Sequence, residues 1–253
     1  MALLKDKTAV ITGGSTGIGL ATAKRFVEEG AHVFITGRRQ AELDAAAEQL
    51  GDRVTVVQGD VAKAEDLDRL YEAVAASGRR IDVLFANAAV IDVARIGDIT
   101  QQHLDYQLGV DFNGVVFTVQ KALPLLNDGA SVILNSSNTN AKGSDGIGIY
   151  AAIKAAVRSL ARTWASELQD RGIRVNAVSP GATDTPGLNN LASVVVPGPN
   201  AAAEFEQSQR DVIPMGRRGT PDEVAGAVLF LASDLSSYTT GADIPVDGGI
   251  NQI

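Results

Sequence analysis

Thr12-Gly-Gly-Ser-Thr-Gly-Ile-Gly19 follows directly on the apolar run Thr8-Ala-Val-Ile-Thr12 and opens a helical stretch from Ile18 to Glu29. Glycine tolerates the left-handed backbone of a tight turn and lets the main chain come close to a ligand. A helix that starts there offers unpaired N–H groups and the positive end of its dipole, which suits a pyrophosphate. The glycines fall at 13, 17 and 19, which is not the usual G-x-G-x-x-G, but the strand–turn–helix setting is the one such a motif requires. Gly13, Ser15, Thr16, Gly17, Ile18 and Gly19 are therefore candidate phosphate contacts, with an ordinary glycine-rich turn as the alternative.

The same alternation continues outward. Ala31 to Thr36 reads as a strand, Gln40 to Leu50 as a helix, Val54 to Gln58 as a strand, Glu65 to Ser77 as a helix and Ile81 to Ala86 as a strand. Gln101 to Leu126 reads as one long helix with Pro124 near its end, Ser131 to Asn135 as a strand, Ile149 to Gln169 as a helix and Ile173 to Val178 as a strand. Pro221 to Ala232 has proline in its first turn and Thr220 as a cap. Strands that are apolar almost throughout are buried on both faces, and their alternation with helices predicts parallel βαβ units. No linker divides the chain, so one domain over 1–253 is expected. The segment 184–214, with Pro186, Pro197 and Pro199 and weak periodicity, stands apart and reads as a lid or binding loop.

Composition narrows the function. Twenty-two basic and 30 acidic side chains among 253 residues give a net charge of −8, with 45% hydrophobic and 21% charged residues, which are globular values. The acidic balance argues against a nucleic-acid partner, which needs clustered Lys and Arg. The absence of cysteine removes disulfide scaffolds, thiol nucleophiles, thiolate zinc sites and iron–sulfur clusters, and no metal site is expected. No apolar run reaches the ~18 residues of a membrane span. The opening residues leave no room for a signal peptide, so a cytoplasmic protein without a membrane partner is expected.

The end of the second strand bears on the ligand. Dinucleotide folds place an acidic residue about 20 positions after the glycines to bond the ribose hydroxyls. Here that place holds Gly37-Arg38-Arg39. A guanidinium suits a 2′-phosphate, so NADP(H) is preferred and NAD(H) is possible; solvated loop charges are the alternative. Asp60 and Val61, after the third strand, read either as adenine neighbours or, for Asp60, as a helix cap. Tyr150 and Lys154 lie four apart at a helix start and share one face. Ser137 lies 13 residues before Tyr150, just past a strand end. A free phenol has a pKa near 10, and a neighbouring ammonium favours its ionised form. Such a phenol can exchange a proton with an alcohol or carbonyl oxygen, held in place by a serine hydroxyl. Taken singly, each has a bland reading as a helix-surface pair or a turn residue.

In order along the chain stand TGGSTGIG at 12–19, Asp60, NAA at 87–89, Asn113, Ser137, YAAIK at 150–154, SPGATDT at 179–185 and VDGG at 246–249. With this ordered set the chain resembles the classical short-chain dehydrogenase/reductase family over nearly its whole length. Within the family it is most similar to bacterial NADPH-dependent alcohol dehydrogenases and ketoreductases, through the GRR segment and VQKALPLL at 119–126. The resemblance implies an α/β fold: a Rossmann-like three-layer sandwich with a parallel sheet of about seven strands. It implies that Tyr150 is the general acid/base, that Lys154 binds the nicotinamide ribose and lowers the phenol pKa, and that Ser137 orients the carbonyl. It further implies that Asn113 holds a helix kink and a water in a proton relay, and that Asn87, with Ala88 and Ala89, supports the sheet near the cofactor. Pro180, Gly181, Thr183 and Thr185 would contact the nicotinamide side, and Arg38, beside Arg39, the 2′-phosphate. The family's usual Asn-Ala-Gly is Asn87-Ala88-Ala89 here, and the glycine-rich turn lacks a basic residue that many NADP-preferring members carry.

The expected function is reversible, NADP-linked hydride transfer between a secondary alcohol and a ketone or aldehyde. Candidate wall residues are 90–95, 138–149 and the lid from Pro186 to Ile213; Ala89, Val90, Ile91, Ile147, Ile149, Leu188, Leu191 and Val194 to Val196 are mostly apolar and favour an apolar or bulky small-molecule substrate. A 3-oxoacyl-thioester reductase, a sugar or polyol dehydrogenase, and a dinucleotide-binding sensor without chemistry are the alternatives. By resemblance, a homotetramer is expected. His32 and His103 read as surface or helix-face residues without carboxylate partners, Trp164 as core or subunit packing, and Asp111 as a locally bonded residue.

Overall fold

The computed structural model describes residues 2–196 and 198–253; Pro197, one of the three prolines in the 184–214 segment, lies outside them. Seven strands form one sheet in the order β3-β2-β1-β4-β5-β6-β7: β1 (Thr8–Thr12), β2 (His32–Gly37), β3 (Val54–Gln58), β4 (Ile81–Ala86), β5 (Leu126–Asn135), β6 (Arg174–Pro180) and β7 (Asp243–Val246). Every neighbouring pair is parallel. Successive strand residues face opposite sides of the sheet, so each apolar strand feeds two cores. Val10, Phe34, Leu84, Val132 and Val175 point to one core, built with α3 (Ala64–Ala76), α5 (Gly114–Ala122) and α6 (Gly148–Glu167). Ile11, Val33, Ile35, Phe85 and Ile133 point to the other, built with α1 (Gly17–Glu28), α2 (Gln40–Leu50) and α9 (Pro221–Ala232). The result is the three-layer arrangement expected from the sequence.

The strand order reverses between β1 and β4. Connections leave these two strands in opposite directions, and a crevice opens at their carboxyl ends, where such folds bind ligands.

Three sequence expectations change. The helix read over 101–126 is two helices, α4 (Gln101–Leu108) and α5, joined by a π-helical turn at Gly109–Asn113. It ends at Ala122, and β5 already starts at Leu126 rather than at Ser131, because Pro124 cannot supply the N–H that a continuing helix needs. The segment 184–214 is no irregular loop: it folds into α7 (Pro186–Val195) and α8 (Ala201–Arg210). Thr185 caps α7 by accepting the Leu188 N–H at 3.2 Å, and Pro186 occupies its first turn.

α9 starts with a reciprocal cap. The Thr220 side chain accepts the Glu223 N–H at 3.3 Å, and the Glu223 carboxylate accepts the Thr220 N–H at 2.8 Å. Thr220→Ala is expected to cost about 1 kcal/mol. Thermal unfolding followed by circular dichroism should show this as a fall of roughly 2–4 °C in Tm.

Candidate active site

The floor of the crevice is a set of hydrogen bonds among strand ends. Thr12 Oγ1 accepts the N–H groups of Asn87 and Ala88, both at 3.0 Å. Asn87 Nδ2 donates to the carbonyls of Thr12 (2.9 Å) and Gly13 (3.2 Å), and Asn87 Oδ1 accepts from Asn135 Nδ2 at 3.0 Å. One amide thus ties β1, β4 and β5 together. The glycine-rich turn lies against it. Gly13 and Gly17 have φ of 64° and 53°, conformations that favour glycine. A Cβ at Gly19 would stand 2.1 Å from the Gly13 carbonyl oxygen, so only glycine lets α1 start there. Thr16, at the α1 N-cap, makes no side-chain cap bond, which leaves first-turn N–H groups for a ligand.

The crevice has a volume of about 890 Å³. Gly13, Ser15, Thr16, Gly17 and Ile18, then Arg38 and Arg39, Asp60 and Val61, and Asn87 to Ala89 line it. So do Ser137, Tyr150, Pro180, Gly181, Thr183 and Thr185. Gly19 and Lys154 lie behind these. Asn135 also lines the crevice, and its Oδ1 is buried without a hydrogen-bond partner, an acceptor left for a ligand donor. The unpaired helix N-terminus, the two left-handed glycines and this acceptor fit a dinucleotide.

At the β2 end, Arg38 is exposed and makes no ion pair among the described residues, whereas Arg39 pairs with Glu42. Asp60 caps its own turn, accepting the Ala62 N–H at 3.0 Å, and does not cap α3.

The phenol, ammonium and hydroxyl predicted to act together do converge. Tyr150 and Lys154 stand one turn apart on α6, and Ser137 follows β5. Lys154 Nζ donates to the Asn135 carbonyl at 3.0 Å and lies 5.3 Å from the centre of the Tyr150 ring. Burial raises the Tyr150 pKa above that of a free phenol, the Asp111 charge adds to this, and the Ser137 hydroxyl opposes it. Burial lowers the Lys154 pKa, and Asp111 opposes that.

Asn113 is a correction. It sits in the π-helical turn, but it is exposed, lines no part of the crevice and makes no side-chain hydrogen bond among the described residues. Residues two apart on a helix face opposite sides. The inward position belongs to Asp111, fully buried and 3.8 Å from Lys154 Nζ. The signal was present in the sequence: Asp111, Val115, Thr118, Val119 and Ala122 fall on one helical stripe that Asn113 leaves. His103 is a second correction, since its Nδ1 lies 3.2 Å from Asp92 Oδ2. Trp164 packs against the α3/α5/α6 core as expected.

Of the expected apolar wall, Ala89, Val90, Ile91, Ile147, Leu188, Leu191 and Val195 line the crevice; Ile149, Val194 and Val196 do not. Phe205 and Ile213, from the segment read as a lid, and Ile250, which the sequence reading did not include, complete it. Ile250 is held by tight packing at the chain's end. A Cβ on Gly181 would stand 2.7 Å from Asp247 Cα, the Met215 N–H donates to the Gly248 carbonyl at 3.2 Å, and Asn251 Nδ2 donates to the Asn138 carbonyl at 2.5 Å.

Comparison with known proteins agrees with this geometry. A family model described as enoyl-(acyl carrier protein) reductase matches residues 13–251. The chain is 46% identical to oxidoreductase asL5 of Sarocladium schorii, over 99% of this chain and 98% of that one. It is 36% identical to the NADP-dependent (R)-specific alcohol dehydrogenase of Lentilactobacillus kefiri, over 97% of each. The structure of L-sorbose reductase from Gluconobacter frateurii, complexed with NADPH and L-sorbose, superposes with a TM-score of 0.94 at 31% identity, covering 100% of both chains. The chain belongs to the short-chain dehydrogenase/reductase family, oxidoreductases whose fold binds a nicotinamide dinucleotide.

Gly19→Ala should disrupt the turn. Dinucleotide binding, followed by fluorescence of the reduced cofactor, is expected to weaken by at least about tenfold, ~1.4 kcal/mol.

Proposed function

We propose that the protein is an NADP(H)-dependent oxidoreductase that transfers hydride reversibly between a secondary alcohol and an apolar or bulky ketone or aldehyde. The observation that carries this reading is the convergence of Ser137, Tyr150 and the buried Lys154 at the mouth of a dinucleotide crevice whose far wall is apolar. The bound cofactor supplies or takes the hydride. Tyr150 exchanges the proton with the substrate oxygen, and Ser137 orients that oxygen. Lys154, held by the Asn135 carbonyl, sets the charge beside the phenol. Leu188, Leu191, Val195 and Phe205 from the paired helices α7 and α8 cover the substrate and exclude water.

Unpaired Arg38 supports the preference for NADP(H), with Arg39 kept from a 2′-phosphate by Glu42. Among the described lining residues the basic side chains are Arg38 and Arg39, both at the β2 end. No cation at the substrate end awaits a phosphopantetheine phosphate, which ranks acyl thioesters below simple ketones. Polar Asn138, Thr139 and Ser144 at the rim keep a sugar or polyol as the second reading. Assembly from identical copies is part of the proposal, supported by exposed Tyr106 and Phe117 on α4 and α5 and Phe230 on α9.

NADPH consumption measured across a panel of ketones, acyl thioesters and sugars should be fastest with bulky apolar ketones. Tyr150→Phe should lower kcat by about 100-fold or more while cofactor binding persists. Undiminished turnover would remove Tyr150 from the mechanism. Arg38→Ala should weaken NADPH binding by about 1.5–3 kcal/mol and leave NADH nearly unaffected. Equal losses on the two cofactors would sink the 2′-phosphate assignment.

A further inference from the structure

Behind the tyrosine lies a polar group that the proton exchange just described does not use. Asp111 and Gln107 are 0% exposed and Lys154 is 1% exposed. Asp111 Oδ1 accepts the Val90 N–H at 3.0 Å and faces Lys154 Nζ at 3.8 Å, while Oδ2 accepts from Gln107 Nε2 at 2.6 Å. The orientation of Gln107 is fixed independently: its Oε1 accepts the Asp92 N–H at 3.1 Å, and its Nε2 also donates to the Val90 carbonyl at 2.8 Å. Every group bonded to the Asp111 carboxyl is therefore a donor. A protonated carboxyl would find no acceptor among them, so these donors favour the carboxylate and oppose the burial that raises its pKa.

That carboxylate shares Lys154 with Tyr150. An uncompensated ammonium beside a phenol draws the proton off it, and a carboxylate on the ammonium's other side cancels much of that pull. We propose that Asp111 is a positioning residue that sets the resting protonation state of Tyr150: its charge compensates Lys154, so the phenol keeps its proton and the free site is poised to give a proton to a carbonyl oxygen rather than to take one from an alcohol. The inference rests on the oxidoreductase reading above. In the reducing direction the carbonyl carbon takes the hydride pair and the carbonyl oxygen takes the Tyr150 proton. The phenolate left behind is reprotonated from water through the open crevice. The carbonyl is reduced and the nicotinamide oxidised.

The charged and titratable groups around this pair are few. α6 contributes Lys154 and Tyr150. The loop after β4 contributes Asp92 and α4 contributes His103, which pair with each other at 3.2 Å. α3 contributes Tyr71, whose hydroxyl is committed to the Thr118 carbonyl on α5. Burial raises the Tyr150 and Asp111 pKa values and lowers that of Lys154; the Asp111 charge adds to the rise at Tyr150 and opposes the fall at Lys154, while Lys154 and the donors around Asp111 oppose its own rise.

The test is Asp111→Asn, which keeps the shape and removes the charge. Rates of ketone reduction and alcohol oxidation are measured against pH, and tyrosinate absorbance is titrated as the difference between each protein and its Tyr150→Phe counterpart. In the unaltered enzyme, reduction should hold its rate, and Tyr150 should show no ionisation, up to about pH 10, the range of a free phenol. In Asp111→Asn both midpoints should move down by about one unit or more, and oxidation near neutral pH should rise several-fold. Midpoints that stay or move up would overturn the proposal. If Asp111→Asn does not fold, the unaltered enzyme decides alone: a Tyr150 that ionises near neutral pH refutes it. Because the titration needs no turnover, a failure of the oxidoreductase reading, seen as no rate in either direction, is told apart from a failure of this one.

Discussion

A single side-chain amide carries much of this architecture. Parallel strands end in backbone groups that their neighbours do not satisfy where the connections diverge, and between β1 and β4 they diverge most. Asn87 fills that gap, donating to the Thr12 and Gly13 carbonyls while its own carbonyl takes the Asn135 amide. The glycine-rich turn, the start of α1 and the end of β5 are positioned through it. The end of β5 in turn holds Lys154 through the Asn135 carbonyl. The glycine-rich turn and the Tyr150–Lys154 end of the crevice are therefore parts of one hydrogen-bonded frame, so the distance between them is set by the sheet rather than by flexible loops.

What the sequence made legible follows from period and punctuation. The buried strands β1, β2 and β4 are too apolar to be anything else, and the turn at 12–19 announces itself by glycines that a Cβ would ruin. Tyr150, Lys154 and Ser137 were recognisable because a four-residue helical step and a strand end fix their relation. Harder to read were features that depend on a local departure from regular geometry. The π-helical turn at Gly109–Asn113 shifts the register of a helix that reads as continuous, and the choice between Asp111 and Asn113 turns on which of them faces inward. Asn113 matches an expected residue type, but Asp111 matches the buried stripe and is the one that faces inward. Segment 184–214 hid two helices because each is short and sits beside proline and glycine, and their apolar residues face a crevice that Ile250, from the far end of the chain, helps to line.

The two ends of the crevice also differ in how they handle charge. At the β2 end an exposed guanidinium waits in water, where its effect depends on ionic strength. Around Lys154 the charges are buried and each is answered by a fixed donor or acceptor, so salt reaches them little. The two sets of charge are thereby separated, one tunable at the surface and the other locked in the core.

The packing of the chain's last residues has a practical side. Gly181, Gly248 and Asn251 draw the segment after β7 against the residues that follow α8 and the Ser137 loop, and Ile250 forms part of the crevice wall. The residues before β1 lie at the amino ends of the strands, on the opposite rim of the sheet. A substitution at Ile250 therefore reaches the crevice directly, whereas one at Leu3 acts from the opposite rim of the sheet.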